Sequence, residues 1–259
     1  MAKGWAKFPY PDKRYGQTAA TLKKAWSRLH LGDQEPYPRD AAVVAAWIAF
    51  HSGEFERAAQ EGLAAGGAGI TVANKATAIY ANYLEENERK KLALFEEVAA
   101  RAEQQQAAEP GNANAFYWQA YALGRYAQGI SIAKALAQGI GGKVKAALET
   151  TIGLAPKHAD AHIALASYHA EVIDKIGAMI GGLTYGAKKE TALKLYEAAL
   201  RLMPESAIAR IEYANGLVML EGKKGLARAE KLYAEAAACE PLDAMERLDV
   251  ELAKTELED

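Results

Sequence analysis

Four prolines, Pro110, Pro156, Pro204 and Pro241, each close one short amphipathic run and open another. Proline has no N–H to donate and disfavours helix in the residue before it, so it belongs in the loop between two helices. Two residues after three of them stand Asn112, Ser206 and Asp243, side chains that can cap the first turn of a following helix; His158 is the exception. Asp243 with Glu246 three places on has the form of a capping box. A chain punctuated in this way is constrained to stacked helical hairpins.

Composition agrees. The chain is rich in Ala, Leu, Glu and Lys and has no convincing alternating Val/Ile/Thr runs, which predicts an all-α fold. Its 259 residues exceed the usual single-domain size, but an array of hairpins grows by adding neighbours rather than by enlarging one core. Upstream of the prolines, Ala42, Ala45, Ala46 and Ala49 form a small-residue face. Ser52 to Phe55 then turns the chain into a second helix that ends at Gly66 to Gly69. Residues 71–86 and 88–108 make the next pair. A terminal helix is expected at about 17–31 (Leu22, Ala25, Trp26 and Leu29 on one face) and another at about 243–257 (Met245, Leu248, Leu252). The reading is thus a basic arm and capping helix over 1–39, an array over 40–241, and an acidic capping helix over 242–259.

The proline intervals are 46, 48 and 37 residues. Against a period of roughly 34 residues for the commonest two-helix repeat, the first two carry a surplus. It falls in two glycine-terminated segments, Ile130 to Gly142 and Ile173 to Leu183, which are expected to elongate two hairpin tips. Ile132, Leu136 and Ile140 share one helical face, as do Ile173, Ile176 and Ile180. Such stripes need covering, and packing on each other along one edge is the expected arrangement; an apolar ligand or another subunit is the alternative.

The run Thr191 to Pro204 places Ala192, Tyr196, Ala199 and Pro204 at the offsets of a tetratricopeptide repeat, and Ala229, Tyr233, Ala236 and Pro241 repeat them with identical spacing. At least residues 110–241 therefore resemble tetratricopeptide repeat proteins. That resemblance implies a right-handed superhelix of about five helical hairpins, with two elongated apolar tips and capping helices at both ends. It further implies a concave face built from the first helix of each hairpin, which binds partners. On this chain those positions are Trp47, Phe50, Tyr117, Tyr121, Arg125, Ile211 and Asn215, with Asn74 and Asn82 beside them. The segment from Ile173 to Leu200 also looks like the inserted hairpin of the T-component associated with TRAP transporters and of regulator-of-microtubule-dynamics proteins. The former is exported and lipid-anchored, whereas this sequence shows neither signal nor lipobox.

Chemistry is less apparent. His158, His162 and His169 stand at i, i+4 and i+11 without an HExxH run, so packed or partly exposed rings are expected in preference to a metal site. The glycine clusters lack a preceding strand and a GxxxxGK[ST] pattern, which makes them helix terminators. The single cysteine, Cys239, is expected to be buried at a helix end. No enzyme, cofactor or metal is predicted.

A net charge of −2 and a pI near 6.3 argue against broad nucleic-acid binding. Charge is nevertheless uneven: eight Lys/Arg against three acids over 1–39, and eight acids against Arg247 and Lys254 over 240–259, read as two solvated ends. The strongest apolar stretch, Ala41 to Phe50, is about half a membrane span, so a cytoplasmic protein without a span is expected. The leading function is a non-catalytic scaffold that holds a peptide or protein. The alternatives are a binder of an apolar or carboxylate small molecule and a homo-oligomeric structural protein.

Overall fold

The computed structural model describes residues 4–258 and is all-helical over them, with two short 3-10 turns and no strand among the described residues. No helix there is long and apolar enough to cross a membrane.

The described residues divide into two compact units, one formed by residues 4–30, 35–154 and 242–245, the other by 31–34, 155–241 and 246–258. Their boundary after Leu154 lies inside the span that the sequence suggests is one array.

The first unit contains α1 (Ala19–Leu29), α2 (Ala41–His51), α3 (Phe55–Ala65), α4 (Gly69–Tyr83), α5 (Glu88–Ala108), α6 (Ala113–Gln128), α7 (Ile132–Ala137) and α8 (Ile140–Leu154). Consecutive helices pack on one another from α1 to α6. Then α8 packs on α6, while α2 and α6 also touch α4. Local chemistry sets the boundaries. Thr18 and Thr21 form a reciprocal capping box at α1, Asp40 caps α2, and Asn87 caps α5. Asn112 accepts from the N–H groups of Asn114 and Ala115 at α6. Between α2 and α3, Gly53 takes φ of +85°, and the Phe8 ring lies where a β-carbon would go. Upstream, Trp5 stacks on Tyr80 at 4.2 Å, and the Ala6 N–H donates to the Tyr80 hydroxyl, which fixes the leading segment to α4.

The second unit contains α9 (Ala159–Ile176), α10 (Ala178–Tyr185), α11 (Lys189–Leu202), α12 (Ala207–Glu221), α13 (Leu226–Ala237) and most of α14 (Ala244–Glu258). Here α9 packs on α10, α11 and α12, and α12 packs on α13. Its core interleaves alanines with two rings: Ala159, Ala166, Ala192, Ala199 and Ala209 surround Tyr196 and Tyr213, which stack at 5.0 Å. A second cluster joins Ala207, Ile211 and Ala236 to Val250 and Ala253 of α14.

His158, the apparent exception among the cap positions, caps α9 after all: its ring Nδ1 accepts the Ala161 N–H at 3.1 Å. The surplus segments do become short extra helices, α7 and α10. Their isoleucines fare differently, because Ile140 is buried on α8 and Ile173 and Ile176 are half-buried, whereas Ile132, Leu136 and Ile180 stay exposed. Coverage of all six by mutual packing is therefore corrected for the last three. Two further expectations are corrected. Cys239 lies beyond the end of α13 and is half-exposed rather than buried. Nor are the charged ends simply solvated, since Asp33, Glu35, Asp243 and Asp249 are all buried.

Candidate functional site

The expected groove residues separate by burial. Trp47, Phe50, Tyr117 and Ile211 are buried, so they contribute to the protein's own core and cannot present their faces to a partner. The reason in α2 is visible in its neighbours: the rings of Trp47 and Phe50 lie under the Lys75 ammonium of α4, at 5.7 and 5.3 Å from the ring centroids. Trp47 also stacks on His51, and Ile211 is enclosed by α13 and α14. The repeat resemblance assigns these positions to an open, partner-binding concave face, and for these four that expectation is corrected.

Tyr121, Arg125 and Asn215 remain partly exposed. On α6, the Arg125 guanidinium lies 5.4 Å from the centroid of the Tyr121 ring, one turn away, and its Nη1 donates to Gln128 Oε1 at 3.3 Å. Tyr121 is supported from behind by the Trp118 ring at 5.3 Å and the Tyr117 ring at 6.1 Å. These two rings are themselves buried, so the exposed pair stands on a fixed base. Chemically the pair offers a flat apolar surface and a planar cation, a combination suited to a carboxylate or a backbone carbonyl beside an apolar side chain. Asn215 differs: its side-chain oxygen accepts a short hydrogen bond from the Tyr233 hydroxyl, so that acceptor is already engaged. Burial pushes the Tyr233 phenol up to about 12, with Glu256 and Glu212 adding to the shift.

A polar layer that periodicity did not reveal lies on α4 and α5. Arg101 Nε donates to Asn74 Oδ1 at 2.6 Å and its Nη2 to the Thr77 hydroxyl at 3.1 Å, while Gln105 donates to the Thr71 hydroxyl at 3.0 Å. Burial lowers the Arg101 guanidinium from its ordinary value, and Glu97, 2.8 Å away, opposes the shift. Asn74, counted among the groove residues, is thus fully buried within this layer, whereas Asn82 is half-exposed. Lys75 in the otherwise apolar and neutral run of α4 was the signal available to a reader of the sequence.

A second hidden constellation joins three distant parts of the first unit. His51 Nδ1 lies 2.6 Å from Asp243 Oδ2, and His51 Nε2 lies 3.2 Å from His30 Nε2, with all three side chains buried. A carboxylate only accepts, so His51 donates from Nδ1; a neutral His51 then accepts at Nε2 from the His30 N–H. Trp26 stacks on His30 at 3.9 Å and Trp47 flanks His51, which closes the chain off from solvent. The arrangement ties Asp243 to the end of α1 and to α2. Among the other histidines, His169 is buried and His162 Nε2 lies 3.0 Å from the Pro156 carbonyl. Among the described residues, no group of three or more His, Cys, Asp or Glu side chains is arranged to hold a metal ion.

No model of a known protein family matches the chain, and no curated protein matches it.

Proposed function

We propose that the protein is a non-catalytic scaffold of the tetratricopeptide type, a right-handed superhelix whose exposed Tyr121–Arg125 pair holds a peptide or protein segment. The pairing of neighbouring helices supports the architectural part. Within the first unit α2, α3, α4, α5 and α6 each pack on the next and α6 also packs on α8; within the second α9 packs on α11 and α12, and α12 packs on α13. The short helices α7 and α10 occupy two of the connections.

One observation carries the binding part: Tyr121 and Arg125, one turn apart on α6, keep part of their surface in solvent and lie against each other over the buried Tyr117 and Trp118 rings. An aromatic ring and an arginine held on a rigid base are the side chains that most often dominate a protein interface. The expected occupant is an extended segment with an acidic or carboxyl-terminal group for Arg125 and an apolar side chain for Tyr121.

The test is a photo-crosslinking amino acid placed at Gln128, beside the pair, in living cells. A discrete crosslinked polypeptide that disappears in Tyr121→Ala and in Arg125→Ala supports the reading. Crosslinks that are absent, or unaltered by both substitutions, overturn it.

A further inference from the structure

The connection between α6 and α8 combines two properties that the proposed partner site does not use. First, it leaves aliphatic side chains in water. Ile132 and Leu136, one turn apart on α7, are 48% and 49% exposed, although Ile140 and Val144 just downstream are buried and anchor the start of α8. α7 packs on α8, begins with Ser131 capping the Lys134 N–H, and is joined to α8 through Gly139 at φ of +62°. Second, the segment is basic. From Gln128 to Leu148 there is no Asp or Glu, while Lys134, Lys143 and Lys145 all fall within it.

Glu149 lies 3.8 Å from Lys145, and Glu96 of α5 acts on Lys134. The Lys134 ammonium donates to the Tyr126 hydroxyl at 2.9 Å, which is the main cause of its raised pKa. Lys143 is exposed.

We propose that this tip docks on an anionic phospholipid surface, with Ile132 and Leu136 entering the headgroup–acyl boundary and Lys143 and Lys145 facing lipid phosphates and carboxylates. The charge pattern selects this occupant. Hydrocarbon satisfies the aliphatic pair, and an anionic interface satisfies cations on the same short segment. A second copy of the chain is disfavoured, because a twofold contact through α7 brings Lys143 and Lys145 towards their own equivalents. Two aliphatic side chains are a weak anchor by themselves, so docking requires both signals and is salt-sensitive.

The experiment is co-sedimentation of the full chain with phosphatidylcholine vesicles, with and without phosphatidylserine, at low and high salt. Binding is expected only with phosphatidylserine and is expected to fall as salt rises. Neutralising one lysine near the surface should lower the partition by about five-fold. Lys143→Gln with Lys145→Gln should therefore lower it by roughly twenty-five-fold. Ile132→Ser with Leu136→Ser should abolish it. All four positions are solvent-facing or partly so, and an unaltered helical circular dichroism spectrum verifies that each variant is folded. Equal partition to both vesicle types, no partition, or partition indifferent to both double variants overturns the proposal. So does a concentration-dependent dimer that Ile132→Ser with Leu136→Ser dissolves while vesicles remain unbound. Because neither Tyr121 nor Arg125 is altered, the outcome is independent of the partner site.

Discussion

The second unit is built on repetition and the first on particular pairs. In the second, alanines at 159, 166, 192, 199 and 209 pack α9, α11 and α12 around the Tyr196–Tyr213 stack, and the Ala192, Tyr196, Ala199 spacing recurs at Ala229, Tyr233 and Ala236. In the first, the interior holds His30, His51 and Asp243, Lys75 over two rings, the Asn74–Arg101–Gln105 layer, and Asn114 bonded to Glu35 at 2.6 Å. Apolar packing is tolerant of exchange among residues of similar volume, whereas a buried polar group is stable only with its own partner. The first unit should therefore be more sensitive to single side-chain deletions in its polar interior, and the second to changes of shape.

The largest effect is expected from His51→Ala. It strands the buried Asp243 carboxylate and empties the space beside Trp47, a loss of about 3–5 kcal/mol. Asp243→Asn keeps the shape and an acceptor for His51 Nδ1–H, so it should cost less. All four tryptophans, Trp5, Trp26, Trp47 and Trp118, belong to the first unit, so their emission follows that unit while circular dichroism follows both. In a denaturant titration His51→Ala should bring the fluorescence transition to lower denaturant and separate it from the later part of the dichroism change. If both probes move together without separation, the two units unfold as one and the comparison fails.

Next comes a test of shape in the second unit. A β-carbon at Gly216 of α12 would collide with the Tyr196 ring, 2.7 Å from its Cζ, and this ring is buried with its hydroxyl 2.9 Å from Ser167 Oγ. Gly216→Ala should cost about 1–3 kcal/mol through overpacking, in spite of alanine's better helix propensity. The change should appear in the dichroism and leave tryptophan emission in its place. A neutral or stabilised variant would mean that α11 and α12 can separate at little cost, and the second unit would lose its claim to close packing.

A smaller effect is expected at the helix starts, which behave alike in both units. Asn112→Ala in the first and Ser206→Ala in the second each remove a cap, at a cost of about 1 kcal/mol. Unequal losses in the two would show that local capping is itself modulated by the surrounding core.

These differences explain what could be read in advance. Helix positions, caps and the two added tip helices follow from proline, glycine and short-range periodicity, all of which act over a few residues. Ala192, Tyr196 and Ala199 were legible because the pattern recurs at Ala229, Tyr233 and Ala236. The His30–His51–Asp243 chain was not, because residues 51 and 243 are 192 positions apart and no local property of either announces the other. The groove failed in part for a similar reason. The repeat resemblance assigns Trp47, Phe50, Tyr117 and Ile211 to an open concave face, but whether each stays open depends on side chains from other helices, as Lys75 of α4 lies over Trp47 and Phe50.

The smallest stability effect belongs to the residues proposed to bind a partner, and it sharpens the comparison by contrasting α6 with α12. Arg125 is partly exposed and lies against the Tyr121 ring, so Arg125→Ala should change stability by about 0.5 kcal/mol or less, and Tyr121→Ala by somewhat more, because its ring also packs on Trp118 and Tyr117. On α13, Tyr233→Phe removes the donor to the Asn215 side chain of α12 and should cost about 1 kcal/mol, because that hydrogen bond is already made within the protein. Denaturation curves for the three variants check this ordering, and crosslinking on the same proteins reads partner capture. Loss of capture at α6 without loss of stability, set against loss of stability at α12 without loss of capture, would separate a surface kept open for a ligand from one closed upon itself. A destabilised Arg125→Ala would instead place its guanidinium in the fold's own support, and the exposure of the pair would then carry no binding argument.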